Sequence, residues 1–295
     1  MRNIRLVPPA FAAVVVAFLF VAGARVATVS VTAGDEQKMK PEELVAKHLE
    51  SIGTAEARAA ARNRIINGIS ELTLKQGGSG NLVGSALMAS EGNKNMIMMG
   101  FNRADYDSEK ISYNGNKLTV AQIRPGVRSP TGEFFRTHDE MFREGLFGGT
   151  LSQSWPLLNV AERKPKLEYG GTKKIGGRLA HELKYMPNKG ASLKIKLYFD
   201  AENFRHIRSE YERQIAATMG ARPIDSGGRL DTRYKAVEEF SDFKEENGLT
   251  LPHTYKFELH ISSGNAPMLL DWVLSLQKFS FNQSMSGKDF DVEGD

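Results

Sequence analysis

The side chains with chemical potential are few and poorly grouped. "THDEMFRE" brings His138, Asp139 and Glu140 together, with Glu144 one helical turn beyond Glu140. A metal or general acid–base site needs its ligands on one side of the element that carries them. On a helix, His138 shares a side with Met141 and Phe142, while Glu140 and Glu144 occupy another. The HExxH arrangement is absent, and the cluster reads as a solvated or capping helix face. In "AHELKY", strand alternation sends His181 and Glu182 to opposite faces. His253 and His260 read as surface residues.

Nucleophilic and phosphate chemistry fare no better. The chain has no cysteine, which excludes thiolate nucleophiles, disulfides, Cys-ligated zinc and an acylated lipoprotein cysteine. There is no GxSxG elbow, and "GGSGN" at 77–81 lies between two strand patterns as a turn. "GGTKKIGGRL" at 170–179 has glycines beside lysines, without the strand-to-helix context of a phosphate loop. No catalytic residue, metal site or cofactor is expected, and the protein is not read as an enzyme.

The elements around these residues follow two periods. "KPEELVAKHLESIG" is helical: Pro41 at the start, Glu42 and Glu43 in the first turn, Gly53 at the end, and a stripe of Leu44, Val45, His48, Leu49 and Ile52. "TAEARAAARN" continues as a short helix capped by Thr54. From Ile65 the period becomes two. Strands are expected over 65–74, 82–90, 95–101, 110–113 and 117–123, with a hairpin at Asn114-Gly115. They resume over 167–174, 178–185, 193–199, 204–215, 233–243, 252–262 and 269–282.

Between these sets, 125–165 breaks the rhythm as a helical or loop insert crowded with Phe134, Phe135, Met141, Phe142, Leu146, Phe147 and Trp155. The fold class is α+β, mainly antiparallel β, with N-terminal helices and a helical insert against one apolar face.

The amino end is an address. "MRNIRLVPPAFAAVVVAFLFVAGA" has Arg2 and Arg5, an apolar run and Ala22-Gly23-Ala24, the three regions of a secretory signal peptide. The run falls short of the roughly 20 apolar residues of a spanning helix, and Pro8-Pro9 interrupt it. Residues 1–24 are therefore read as a cleaved signal and 25–39 as a linker, with 40–283 as one domain and 284–295 as a polar tail. The expected location is the periplasm, or the inner membrane if the segment is retained. Setting Arg2 and Arg5 aside from the 39 basic residues leaves 37 against 35 acids, close to balance. No basic stripe alternates with stacking aromatics, and nucleic acid is not expected as a partner.

The opening helix, "GRLAHELKYMP…LKIKLYFDAENFRHIRSEYE" and "VEEFSDFKEENGLTLPHTYKFEL" together resemble the LolA/LolB lipoprotein-carrier superfamily, and more narrowly its exported outer-membrane lipoprotein-sorting-like proteins. The resemblance spans about residues 38–283 as a pattern of elements. It implies an incomplete β-barrel, a strongly curved sheet whose concave face accepts acyl chains beneath a helical lid. It also implies an arginine that holds the lid, which the sequence does not single out. Burial of an acyl chain gains about 0.8 kcal/mol per methylene.

On this reading the cargo-cavity candidates are Met96, Met98, Ile195, Leu197, Phe257, Leu259, Trp272 and Leu274. The lid candidates are Leu44, Leu49, Phe142, Phe147 and Trp155. Met96, Met98 and Met99 also fit an ordinary core filler, and the insert also fits permanent packing. An open cavity at Leu274 would accept a tryptophan there.

The expected function is a noncatalytic cell-envelope carrier or binding protein. Its partners would be lipid or lipoprotein acyl chains or another amphiphile, with envelope membrane proteins as further partners. The alternative is an envelope sensor or scaffold that binds a protein partner and fills the cavity with its own side chains.

Overall fold

A computed structural model of the chain describes residues 39–76, 80–216, 231–263 and 266–292, all within one compact unit spanning Lys38–Asp295. The signal reading and all of the linker reading except Met39, which packs against the core, lie outside the described residues. Among the described residues no helix is long and apolar enough to cross a membrane.

Helix α1 (Pro41–Ile52) starts on Pro41, and α2 (Ala55–Ala60) starts on the Thr54 cap, whose hydroxyl accepts from the Ala57 N–H at 3.2 Å. The strands are β1 (Asn63–Gln76), β2 (Gly80–Glu91), β3 (Lys94–Gly100), β4 (Ser108–Tyr113) and β5 (Leu118–Val120), then β6 (Lys166–Ile175), β7 (Arg178–Met186) and β8 (Lys194–Asp200). They continue with β9 (His206–Ile215), β10 (Thr232–Glu246), β11 (Leu249–Ser263) and β12 (Ala266–Phe281). All twelve form one antiparallel sheet in the order β5-β4-β3-β2-β1-β12-β11-β10-β9-β8-β7-β6. The sheet does not close: β5 and β6 are its two edges. Every strand read from alternation is present, to within a few residues at the ends.

The chain between the two edges, residues 121–165, is the insert. It holds α3 (Pro130–Thr137), α4 (Glu140–Arg143), two short 3-10 turns and α5 (Val160–Arg163). It lies on the same face as α1, which reaches both β11 and the edge strand β6. Cross-strand register lays out that face in rows. One runs Leu183–Leu197–Ser209–Glu238–Phe257–Trp272–Leu72, and its neighbour runs Tyr185–Ile195–Tyr211–Ala236–Leu259–Leu270. These rows, α1 and the insert make one hydrophobic core.

The opposite face carries the charged ladder Arg208, Glu210, Glu239, Lys256 and Glu258 over much of the sheet. Over β2 and β3, however, it is covered. Residues 284–292, expected as a polar tail, pack there instead, with Phe290 fully buried and its carbonyl accepting from the Ser112 hydroxyl at 2.6 Å.

Candidate ligand-binding face

Strand alternation delivers Ile195, Leu197, Phe257, Leu259, Trp272 and Leu274 to the face under the insert, all of them buried. Met96 and Met98 do not join them. They belong to the second cluster, with Ala89, Phe290 and Val292, and Ile97 and Met99 take the inward positions. The correction has a simple cause: both sides of β3 are covered, so both parities are apolar.

The face is occupied by the protein's own side chains. Phe135 stands 5.2 Å from Phe257 and 6.1 Å from Trp272 between ring centres, and Phe147 lies 5.8 Å from Tyr255. Phe142 stacks on Phe147 at 4.5 Å. Trp155 stacks on His206 at 4.6 Å and donates its indole N–H to His48 Nε2 at 3.0 Å. Between the insert and β2–β3 lies a crevice of about 10 Å³, beside Met88, Asn95, Phe147 and Leu151. Of the lid candidates, Leu44, Phe142, Phe147 and Trp155 are fully buried and Leu49 is half-buried, packed against the same core. Leu274 is likewise fully buried, packed in the same core.

Within this apolar layer a few polar groups grip the insert by its backbone. Arg64, buried on β1, donates through Nη1 to the carbonyls of Thr150 at 2.7 Å and Leu151 at 3.0 Å. Burial pushes its pKa down to about 9, so it remains a cation at neutral pH. Glu238, fully buried on β10, accepts from the Gly148 N–H at 2.7 Å and from the hydroxyls of Tyr211 at 2.6 Å and Tyr255 at 2.8 Å. Burial raises its pKa to about 7, against which these three donors act.

Asn95 donates to the Phe142 carbonyl at 3.0 Å, and the Gln153 N–H donates to Ser90 Oγ at 2.9 Å. Gly148 has a φ of 78°, a left-handed conformation that turns its N–H toward Glu238 and that glycine adopts without steric cost.

Of the histidines, His48 keeps the inward place that the apolar stripe of α1 gives it, whereas His253 leaves the surface. His48 is fully buried; its Nδ1 faces the Phe204 carbonyl at 3.0 Å, and burial lowers its pKa to about 4. His206 beside it is held well below the ordinary imidazole value by the same cause. His253, expected at the surface, is buried against Phe279.

The 138–140 cluster is not a solvated face, since His138 and Glu140 are buried. Its members turn to separate partners, however. His138 Nδ1 meets the Phe134 carbonyl, Asp139 pairs with Arg143, and Glu140 accepts from Ser192. Among the described residues, no three His, Asp or Glu side chains are grouped to hold a metal ion.

The sequence matches no protein-family model and no curated protein. Solved structures do resemble the chain. A LolA-superfamily protein from Nitrosomonas europaea matches at TM-score 0.48 and 14% identity over 86% of this chain and 98% of its own. A DUF1329 family protein from Desulfovibrio piger matches at 0.47 and 10% identity, over 86% and 98% of the two chains. An outer-membrane lipoprotein-sorting protein domain from Vibrio parahaemolyticus matches at 0.43 and 14%, over 83% and 97%.

Proposed function

We propose that the protein is a noncatalytic cell-envelope binding protein that carries an acyl chain or similar amphiphile on the apolar face of its sheet. Residues 121–165 act as a plug that yields to the guest. The observation behind this reading is the way the plug is held. A permanent core gains most from apolar packing, and burying a charge in it is costly unless that charge is well paired. Here a buried guanidinium and a buried carboxylate reach through the apolar layer to main-chain atoms at 148, 150 and 151. Together with Asn95 and Ser90, such contacts fix one position for the segment and leave rings, which an acyl chain can replace, as much of its remaining packing. The alternative, a scaffold for a protein partner, draws on the filled interior.

The absence of cysteine makes a clean test available. The Gln153 N–H lies 2.9 Å from Ser90 Oγ, so Ser90→Cys with Gln153→Cys places two thiols where the plug meets β2. The reduced protein should take up a fluorescent fatty acid, and the oxidised protein should not. Equal uptake by both forms, or none by either, rejects carriage on this face and leaves the scaffold.

A further inference from the structure

Two open clefts lie outside the plugged face, at the ends of β7–β10. One, of about 750 Å³, is walled by Lys194, Arg213, Arg233, Lys235 and Glu212 among others. The other, of about 510 Å³, adds Lys184 and Lys196 to an apolar lining of Met186, Pro187 and Leu193. Lys194 and Glu212 wall both, so the two are adjacent. Together they hold six cations and one carboxylate, in a chain whose 39 basic and 35 acidic residues nearly balance. The excess is therefore local.

The protein answers the cations only in part: Glu212 stands opposite both Lys194 and Lys235, and Glu210 stands opposite Lys196. Lys184 and Lys196 stand directly opposite each other on neighbouring strands, an arrangement in which like charges repel. Lys184 turns to Glu168 at 2.6 Å, and Lys235 reaches Glu212 only at 3.9 Å. Lys194, Lys196 and Arg233 make no ion pair among the described residues. A free phosphate would leave the apolar cleft unused, and a neutral apolar ligand would leave the cations unpaired. Tyr185 is the lone aromatic in the two linings and is itself buried, so stacked bases have no platform.

We infer that this surface docks the protein on a bilayer containing anionic phospholipids: Lys194, Lys196, Arg233 and Lys235 meet the phosphates, and the cleft at Met186, Pro187 and Leu193 takes the adjoining glycerol and upper acyl carbons. The inference does not rest on the plugged face.

Sedimentation with vesicles tests it. The protein should bind vesicles of equal parts phosphatidylglycerol and phosphatidylcholine, not phosphatidylcholine alone, and binding should fall as salt rises. Each basic side chain near an anionic surface contributes about fivefold, so Lys194→Gln with Arg233→Gln should weaken binding about thirtyfold. Lys244, on the far end of β10 and paired with Asp242 at 2.8 Å, is the control, and Lys244→Gln should bind like the parent. The oxidised Ser90→Cys/Gln153→Cys protein should also bind the anionic vesicles normally, which separates docking from carriage.

The inference is overturned by equal binding to both vesicles or by a Lys244→Gln defect as large as that of the double variant. Loss of docking on oxidation overturns it too, because the plugged face would then be the contact. Binding to soluble polyglutamate without binding to vesicles would assign the surface to an acidic protein instead.

Discussion

At the scale of single residues, Glu238 carries the clearest solution signature. A carboxyl whose pKa is raised in the folded state contributes stability that is complete below its unfolded value and lost as pH rises through its folded value. For Glu238 that window runs from 4.5 to about 7. The loss across it is roughly 3 kcal/mol, since each pH unit between the two values removes about 1.4 kcal/mol. His48 acts in the opposite sense: its pKa falls from 6.5 to about 4, so its contribution is complete above 6.5 and lost as pH falls toward 4. His206 reinforces His48. The parent profile mixes these slopes, and the comparison with Glu238→Gln isolates one of them. In denaturant titrations the stability of the parent relative to that variant should fall as pH rises from 4.5 to 7; a difference that stays constant would place the proton elsewhere.

Both Glu238 and Arg64 are legible in principle. Glu238 shares parity with Ala236 and Phe240, and Arg64 with Ile66, which marks each as an inward charge. Arg64 is easily passed over because the apolar alternation becomes visible only at Ile65, one residue after it. Glu238 is hidden by Glu239, since adjacent like residues erase the alternation that would separate them.

Among the elements, the strands are readable because each presents one apolar and one polar face to different surroundings. The insert is readable only as a break in that rhythm. Its helices are four to eight residues long, too short to show a period, and their aromatic side chains are placed by the sheet beneath them. β3 misleads for a related reason: the 3-10 turn at Gly287–Phe290 covers its outer side, so "NMIMMG" has no polar face to orient it. The filled interior also reverses the expectation for Leu274. Overpacking a tight core costs about 1–3 kcal/mol, so Leu274→Trp should lower the melting temperature measurably. Parental thermal stability for that variant would mean that space exists beside Leu274.

For the molecule as a whole, the decisive pairing is β1 with β12. It joins the first strand to the last across the middle of the sheet, from Arg64 opposite Phe281 to Gln76 opposite Leu269. Two meanders, β1–β5 and β6–β12, meet at this seam, and the insert linking their outer edges folds back over the face they share. Such a sheet is a single cooperative unit. A chain ending at residue 265 should therefore show no sharp thermal transition; a cooperative melt by that fragment would mean that the halves fold separately.

The same seam governs how the protein comes into being. Polypeptides emerge amino end first, and β1, 14 residues long, appears early, with only β2 available beside it. Its other edge must wait for a partner some two hundred residues downstream. Ladders closed over such separations are slow to form, and an open strand edge invites pairing with other chains. The nascent chain thus stays incompletely folded until its final strand arrives. That delay leaves the free edge of β1 open while the rest of the chain is made, and it makes a holding chaperone useful on the way.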